Sequence, residues 1–147
     1  TQAFCRPFVP RNGVEYRLPN GWKLIARVFP AAFPEKTQAV HKKDLKNQAD
    51  YARIMMLYPA LCLRSRQPGD GFRPAGRGLR KELRKWMNEA NVPVVQRGML
   101  PLLAAGSEVV WVCGGGFADG LAPDQNTKNI LELELEKMEE YDHEHER

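Results

Sequence analysis

Cysteine and histidine are scarce in this chain, with three of each in 147 residues. Cys5, Cys62 and Cys113 are odd in number, far apart and without a C-x-x-C pattern, so neither a disulfide framework nor a zinc site is expected. Cys62 and Cys113 lie in the apolar runs ALCL and VVWVC and read as buried core thiols. His143 and His145 lack the H-E-x-x-H spacing of a helical metal site, and His41 carries no signal. No apolar stretch approaches the roughly 20 residues of a membrane span, so no membrane partner is expected. No signal-peptide pattern opens the chain, and with the unpaired thiols this predicts a cytoplasmic protein. The chain starts at Thr1 instead of Met, which raises the expectation of a piece cut from something larger.

Catalytic signatures are missing as well. Gly114-Gly115-Gly116 follows an apolar strand but lacks the G-K-[ST] ending, and no helix follows to supply a dipole end; a strand-connecting turn is expected. Asp70 has no histidine or second carboxylate near it in sequence, so it is expected to cap a turn or orient Arg64 or Arg66. No nucleophile–base pair, metal-ligand spacing or nucleotide loop appears. The chain by itself is therefore read as having no catalytic residue, no metal and no cofactor.

Positive charge is what the sequence has in excess, and it is localised. The net charge is +4 and the isoelectric point about 9.1. Between Leu63 and Pro101 stand nine basic residues against Asp70, Glu82 and Glu89, a local net charge of +6. They are Arg64, Arg66, Arg73, Arg77, Arg80, Lys81, Arg84, Lys85 and Arg97. From Leu131 to the end the balance reverses to −6. A basic middle and an acidic end predict a working surface for a polyanion and a solvated tail.

The apolar pattern predicts one domain over 1–137, with 138–147 an acidic, disordered tail. Val14–Phe29 reads as a hairpin turning at Pro19-Asn20-Gly21, and 35–50 as a polar surface connection. Tyr51–Tyr58 is apolar but ambiguous in period, and Ala60–Leu63 starts a strand entering the arginine loop. In that loop Pro68-Gly69 suits the centre of a type II turn, while Gly71, Gly76 and Gly78 leave the backbone free for close approach. From Gly78 to Asn91 the period becomes helical. Leu79, Leu83, Trp86, Met87 and Ala90 share one face, with Arg80, Lys81, Arg84, Lys85 and Asn88 opposite, and Pro93 stops the helix. LPLLAA, EVVWVC and NILELEL read as later strands, and Trp86 and Trp111 as core. The fold class is α+β: a mostly antiparallel sheet or sandwich with one main amphipathic helix.

The helix stripe has no matching carboxylate row to offer i,i+4 partners, so its like-charge repulsion is tolerated for a reason. Planar guanidinium groups fork onto paired phosphate oxygens, and a spread over more than thirty residues suits an extended polyanion. Plain solubility, docking onto an acidic protein or onto the chain's own tail, and a small phosphoesterase are the competing readings, the last ranking lowest.

The run Arg64-Ser-Arg66-Gln-Pro68-Gly69-Asp70-Gly-Phe72-Arg73-Pro74-Ala-Gly76 resembles the R-x-R-x-P-G-D-x-F-x-P-x-G motif of the C-terminal domain of tRNA-isoleucine lysidine synthetases. A basic helix, Val92-Pro93, Arg97, Pro101-Leu102-Leu103 and the Trp111 strand follow in the same order. The resemblance is close over 61–121 and loose over 14–58. Ala75 departs from the leucine expected there, and the Glu-rich tail has no counterpart. The resemblance implies the sandwich also seen in a phenylalanyl-tRNA synthetase domain. It further implies a parent ligase that uses ATP, lysine and magnesium to turn the wobble cytidine of a minor isoleucine tRNA into lysidine. That chemistry belongs to an N-terminal catalytic domain with an S-G-G-x-D-S loop, which this chain does not contain. The part played here would be a grip on the tRNA acceptor stem. Arg73, Arg77, Arg80, Lys81, Arg84 and Lys85 would meet phosphates, whereas Arg64, Arg66 and Arg97 would meet either phosphates or the loop itself.

Overall fold

A computed structural model describes residues 3–32 and 42–138. The expected hairpin is there: β2 (Val14–Arg17) pairs antiparallel with β3 (Trp22–Pro30). Gly21 takes φ +86° at the turn, a conformation that glycine enters without a Cβ clash. β3 then pairs along its whole length with β11 (Asn129–Lys137), and β4 (Gln48–Asp50) closes the other side of β11, giving the order β2-β3-β11-β4. The second sheet runs β1 (Cys5–Phe8), β5 (Leu61–Arg64), β8 (Leu102–Ala105), β9 (Glu108–Val112), β6 (Gly71–Phe72) and β7 (Lys81–Glu82). The two-residue β10 (Gly116–Phe117) adds to β9. All of these pairings are antiparallel except β6 with β9. Inward side chains of both sheets, among them Leu24, Ala26, Leu131 and Leu133 from one and Leu63, Leu103, Val109 and Trp111 from the other, make a single core. The α+β sandwich is therefore the fold observed.

Three expectations change. Residues 33–41 and 139–147 lie outside the described residues, and with them His41, His143, His145 and most of the tail. The polar connection read over 35–50 ends in β4, whose three residues are all buried. There the Gln48 amide donates to Glu132 Oε2 at 3.0 Å, and Asp50 caps α1 (Tyr51–Leu57) by accepting the Arg53 N–H at 3.0 Å. Polar character masks a buried edge strand because each buried polar group finds a partner. Neither thiol is a full core residue: Cys62 and Cys113 are both half-buried.

The third change concerns the main helix. Only Leu83–Glu89 is helical (α2), not Gly78–Asn91. Gly78 stands at φ +71°, and Lys81 and Glu82 pair as β7 with Phe72 and Gly71 instead of entering the helix. Leu79 is consequently 75 % exposed and Ala90 is exposed, while Leu83, Trp86 and Met87 are buried as expected. The Trp86 ring meets Phe72 edge-on at 5.5 Å. A further short helix, α3 (Val94–Arg97), follows Pro93.

The triple glycine is a turn, with the Gly115 N–H donating to Val112 O at 2.9 Å. Gly116 has φ +81°, and a Cβ there would press on the Lys46 carbonyl oxygen at 2.5 Å. Gly116→Ala is expected to destabilise the domain by about 2–4 kcal/mol, read as a lowered midpoint in urea.

Candidate nucleic-acid interface

The loop entering the basic segment is built around one buried ion pair. Arg64 is 3 % exposed and forks onto Asp70, Nη1 to Oδ2 at 2.9 Å and Nη2 to Oδ1 at 2.8 Å. The same guanidinium donates to Ser65 O and Gly106 O, each at 2.9 Å. Asp70 Oδ2 also accepts the Gln67 N–H at 2.8 Å, closing the Pro68-Gly69 turn in which Gly69 takes φ +88°. The hydrogen bonds to Asp70, helped by its charge, hold the Arg64 guanidinium above its already high ordinary value, and burial opposes this only in part. Arg64 therefore shapes the loop and offers nothing to an outside ligand, which removes it from the expected phosphate contacts. Arg97 is also committed. It donates to Val92 O at 2.9 Å, to Asn88 Oδ1 at 2.7 Å and to Met87 O at 3.4 Å, so it ties up the carbonyl end of α2.

The other seven cations stay at the surface, on the turns, β7 and α2. Arg66 and Arg84 line one cleft of about 540 Å³ between the Gln67–Asp70 turn and the start of α2, together with Glu82. Arg77 and Lys85 lie in the field of Glu89, whose carboxylate receives Lys81 Nζ at 2.7 Å from β7. The Lys81 hydrogen bond, helped by the charges of Lys81, Arg77 and Lys85, holds the Glu89 carboxyl below the usual range. Arg80 crosses in front of Gly71, where any Cβ would run into its guanidinium. It is fixed there by Glu108 Oε1 at 3.1 Å and Gly69 O at 3.4 Å. Arg73 donates to Gly78 O at 3.0 Å, and Asp119 accepts the Gly76 N–H at 2.7 Å, pinning the loop from the far side.

Carboxylates thus stand against Arg80, Lys81 and Arg84, the last through Glu82 at 3.3 Å. Arg66, Arg73, Arg77 and Lys85 face no ion-paired carboxylate among the described residues. Exposed ion pairs are worth about 0–1 kcal/mol, so a phosphate can displace the three that exist at little cost. What the surface can do is accept several anionic groups at once. No group of side chains able to hold a metal occurs among the described residues. No helix of the described residues is long and apolar enough to cross a membrane.

Sequence reasoning missed two residues that fix this surface, Glu108 and Asp119, and the half-buried Tyr58 that lies in the field of Glu108 and Arg73. Burial and the charge of Glu108 push the Tyr58 hydroxyl up, while Arg73 pulls it down. Only tertiary structure brings these three to the loop.

Comparison with known proteins agrees with this frame. The family profile of the TilS substrate C-terminal domain matches residues 61–135. The chain belongs to that family. The TilS C-terminal match starts at β5, runs through the whole arginine segment and ends inside β11. A tRNA(Ile)-lysidine synthase of Dehalococcoides mccartyi (strain CBDB1) is 32% identical over 138 residues, covering 88% of this chain and 27% of that protein. That of Symbiobacterium thermophilum is 39% identical over 80 residues, covering 54% and 17%. The chain spans between 17% and 28% of the length of the curated relatives it matches. A crystal structure of a TILS C-terminal domain superposes with a TM-score of 0.68 over 94% of this chain and 99% of that one; at 21% identity it bears on the fold.

Proposed function

We propose that this TilS C-terminal domain is a non-catalytic tRNA grip, holding the acceptor stem of a minor isoleucine tRNA. In this reading it serves a cytoplasmic ligase that converts the wobble cytidine to lysidine. ATP, lysine and magnesium are used by a catalytic domain elsewhere in that protein. The observation carrying the proposal is the set of four surface cations without carboxylate partners, Arg66, Arg73, Arg77 and Lys85, on a frame that Arg64 and Asp70 keep rigid. An A-form stem hides its bases in a deep, narrow groove, so its phosphates and shape are what a protein can grip. Cations set on turns and a short helix at fixed spacing meet that requirement, and their contacts position the RNA without reading its sequence.

Binding to an isoleucine tRNA should therefore weaken with salt. A plot of log affinity against log salt is expected to slope at about −3 to −6, one counterion for each phosphate neutralised. A slope near zero would reject the proposal. Equal affinity for an acidic protein of similar charge would favour docking instead.

A further inference from the structure

On the edge strand β1 and its neighbour β5, Cys5 and Cys62 bring their Sγ atoms to 3.0 Å. Cys5 stands opposite Arg64 and Cys62 opposite Pro7, so the two thiols are diagonal neighbours on one face of the sheet. Cys5 is exposed and Cys62 half-buried. We propose that Cys5 and Cys62 are an oxidation-responsive dithiol, a modification site that closes to a disulfide and staples β1 to the strand feeding the arginine loop. Bonded sulfurs lie at about 2.05 Å, so closure needs an approach of roughly 1 Å, within the reach of side-chain rotation.

The oxidant is a small disulfide such as oxidised glutathione. Exposed Cys5 loses its proton to water, and its thiolate attacks one glutathione sulfur. That S–S bond breaks, one glutathione leaves as a thiolate, and Cys5 carries the other in a mixed disulfide. Cys62 then loses its proton and attacks Cys5 Sγ, and the second glutathione thiolate departs. The cysteine pair has lost two electrons and two protons, and oxidised glutathione has become two reduced molecules. The order follows from access and acidity. The hydrogen bond to Cys5 and burial both raise the Cys62 thiol, which suits it to the second, intramolecular step. Cys113 sits at the end of β9, two strands beyond β5, and burial raises its thiol as well.

β1 is an edge strand held to the turn by few bonds. Ser65 N–H donates to Phe4 O at 3.0 Å, and Phe4 N–H donates to Ser65 Oγ at 3.1 Å. A covalent link there constrains the unfolded chain and fastens this edge.

The test treats the 147-residue chain with oxidised glutathione and follows it by intact mass, peptide mapping and thermal melting. Two thiols should disappear without retained glutathione, and a Cys5–Cys62 cross-linked peptide should appear. The melting temperature should rise by about 5–10 °C and fall back on adding dithiothreitol. Cys62→Ser should leave glutathione on Cys5, and Cys113→Ser should behave like the parent chain. Glutathione retained on Cys5 in the parent chain, or cross-links found only between chains, would overturn the proposal. Should Cys62→Ser not fold, peptide mapping of the parent chain and of Cys113→Ser decides on its own.

Discussion

Arg64→Ala is expected to lower stability by about 3–5 kcal/mol, a large effect for a single arginine. The cost arises because four donated bonds vanish at once while the Asp70 carboxylate and the Ser65 carbonyl stay buried. Asp70 would remain 4 % exposed without a counter-charge, and Ser65 O and Gly106 O would each lose a donor. A domain of this size is stable by about 5–15 kcal/mol, so the variant would keep only part of its margin. Thermal melting should fall by about 10–15 °C. Asp70→Asn should cost less, since an amide oxygen can still accept the Gln67 N–H. Replacing both partners by apolar residues should not restore stability. A buried ion pair is often replaceable in this way, but here Arg64 also serves the carbonyl of buried Ser65, which would lose its donor. An unchanged melting temperature in Arg64→Ala would show that the pair is not what fixes the loop.

That buried pair also marks how far the sequence could be read. Alternating apolar residues at Leu24, Ala26, Leu131 and Leu133 made the strands legible, because a strand with one buried face has period two. The Pro68-Gly69 turn was legible from proline's fixed φ and glycine's access to positive φ. The helix was over-read at its start. Leu79 fits the apolar periodicity, yet the backbone of Lys81 and Glu82 is drawn into pairing with β6, whose own position is set by β9, where Gly71 pairs with Glu108, far along the chain. Periodicity carries no information about that partner. β4 escaped notice for the opposite reason: Gln48 and Asp50 look like surface residues, and only Glu132, Arg53 and Thr127 make their burial affordable.

The candidate site divides along the same line. That cations cluster over 64–97 is plain in the sequence, but which of them face outward depends on partners distant in the chain. Arg64 competes for Gly106 O, 42 residues away, and Arg80 for Glu108, 28 residues away. Arg97 reaches back across Pro93 to the end of α2. A residue count would rank all nine cations alike. The hydrogen bonds and burial separate two that build the domain from seven that stay at its surface.

Among those seven, Arg77 and Lys85 are the cations to reverse. Neither makes a side-chain hydrogen bond or ion pair among the described residues, so changing them removes little from the fold, and stability should hold within about 0.5 kcal/mol. Arg77→Glu combined with Lys85→Glu would leave Glu89 with Lys81 as its nearby cation and turn this corner of the surface negative. Each charge-assisted phosphate contact is worth about 1.5–3 kcal/mol, so loss of two should weaken tRNA binding by about 100-fold or more. The salt slope should also become shallower by about 2, because two fewer counterions are released. Arg17→Glu provides the control. Arg17 ends β2 and its carbonyl accepts from Arg6 of β1, at the sheet edge opposite β7, so its reversal should leave affinity nearly unchanged. If reversal at Arg17 weakens binding as much as reversal at Arg77 and Lys85, net charge alone is responsible, and the arrangement of cations around α2 plays no part in the grip.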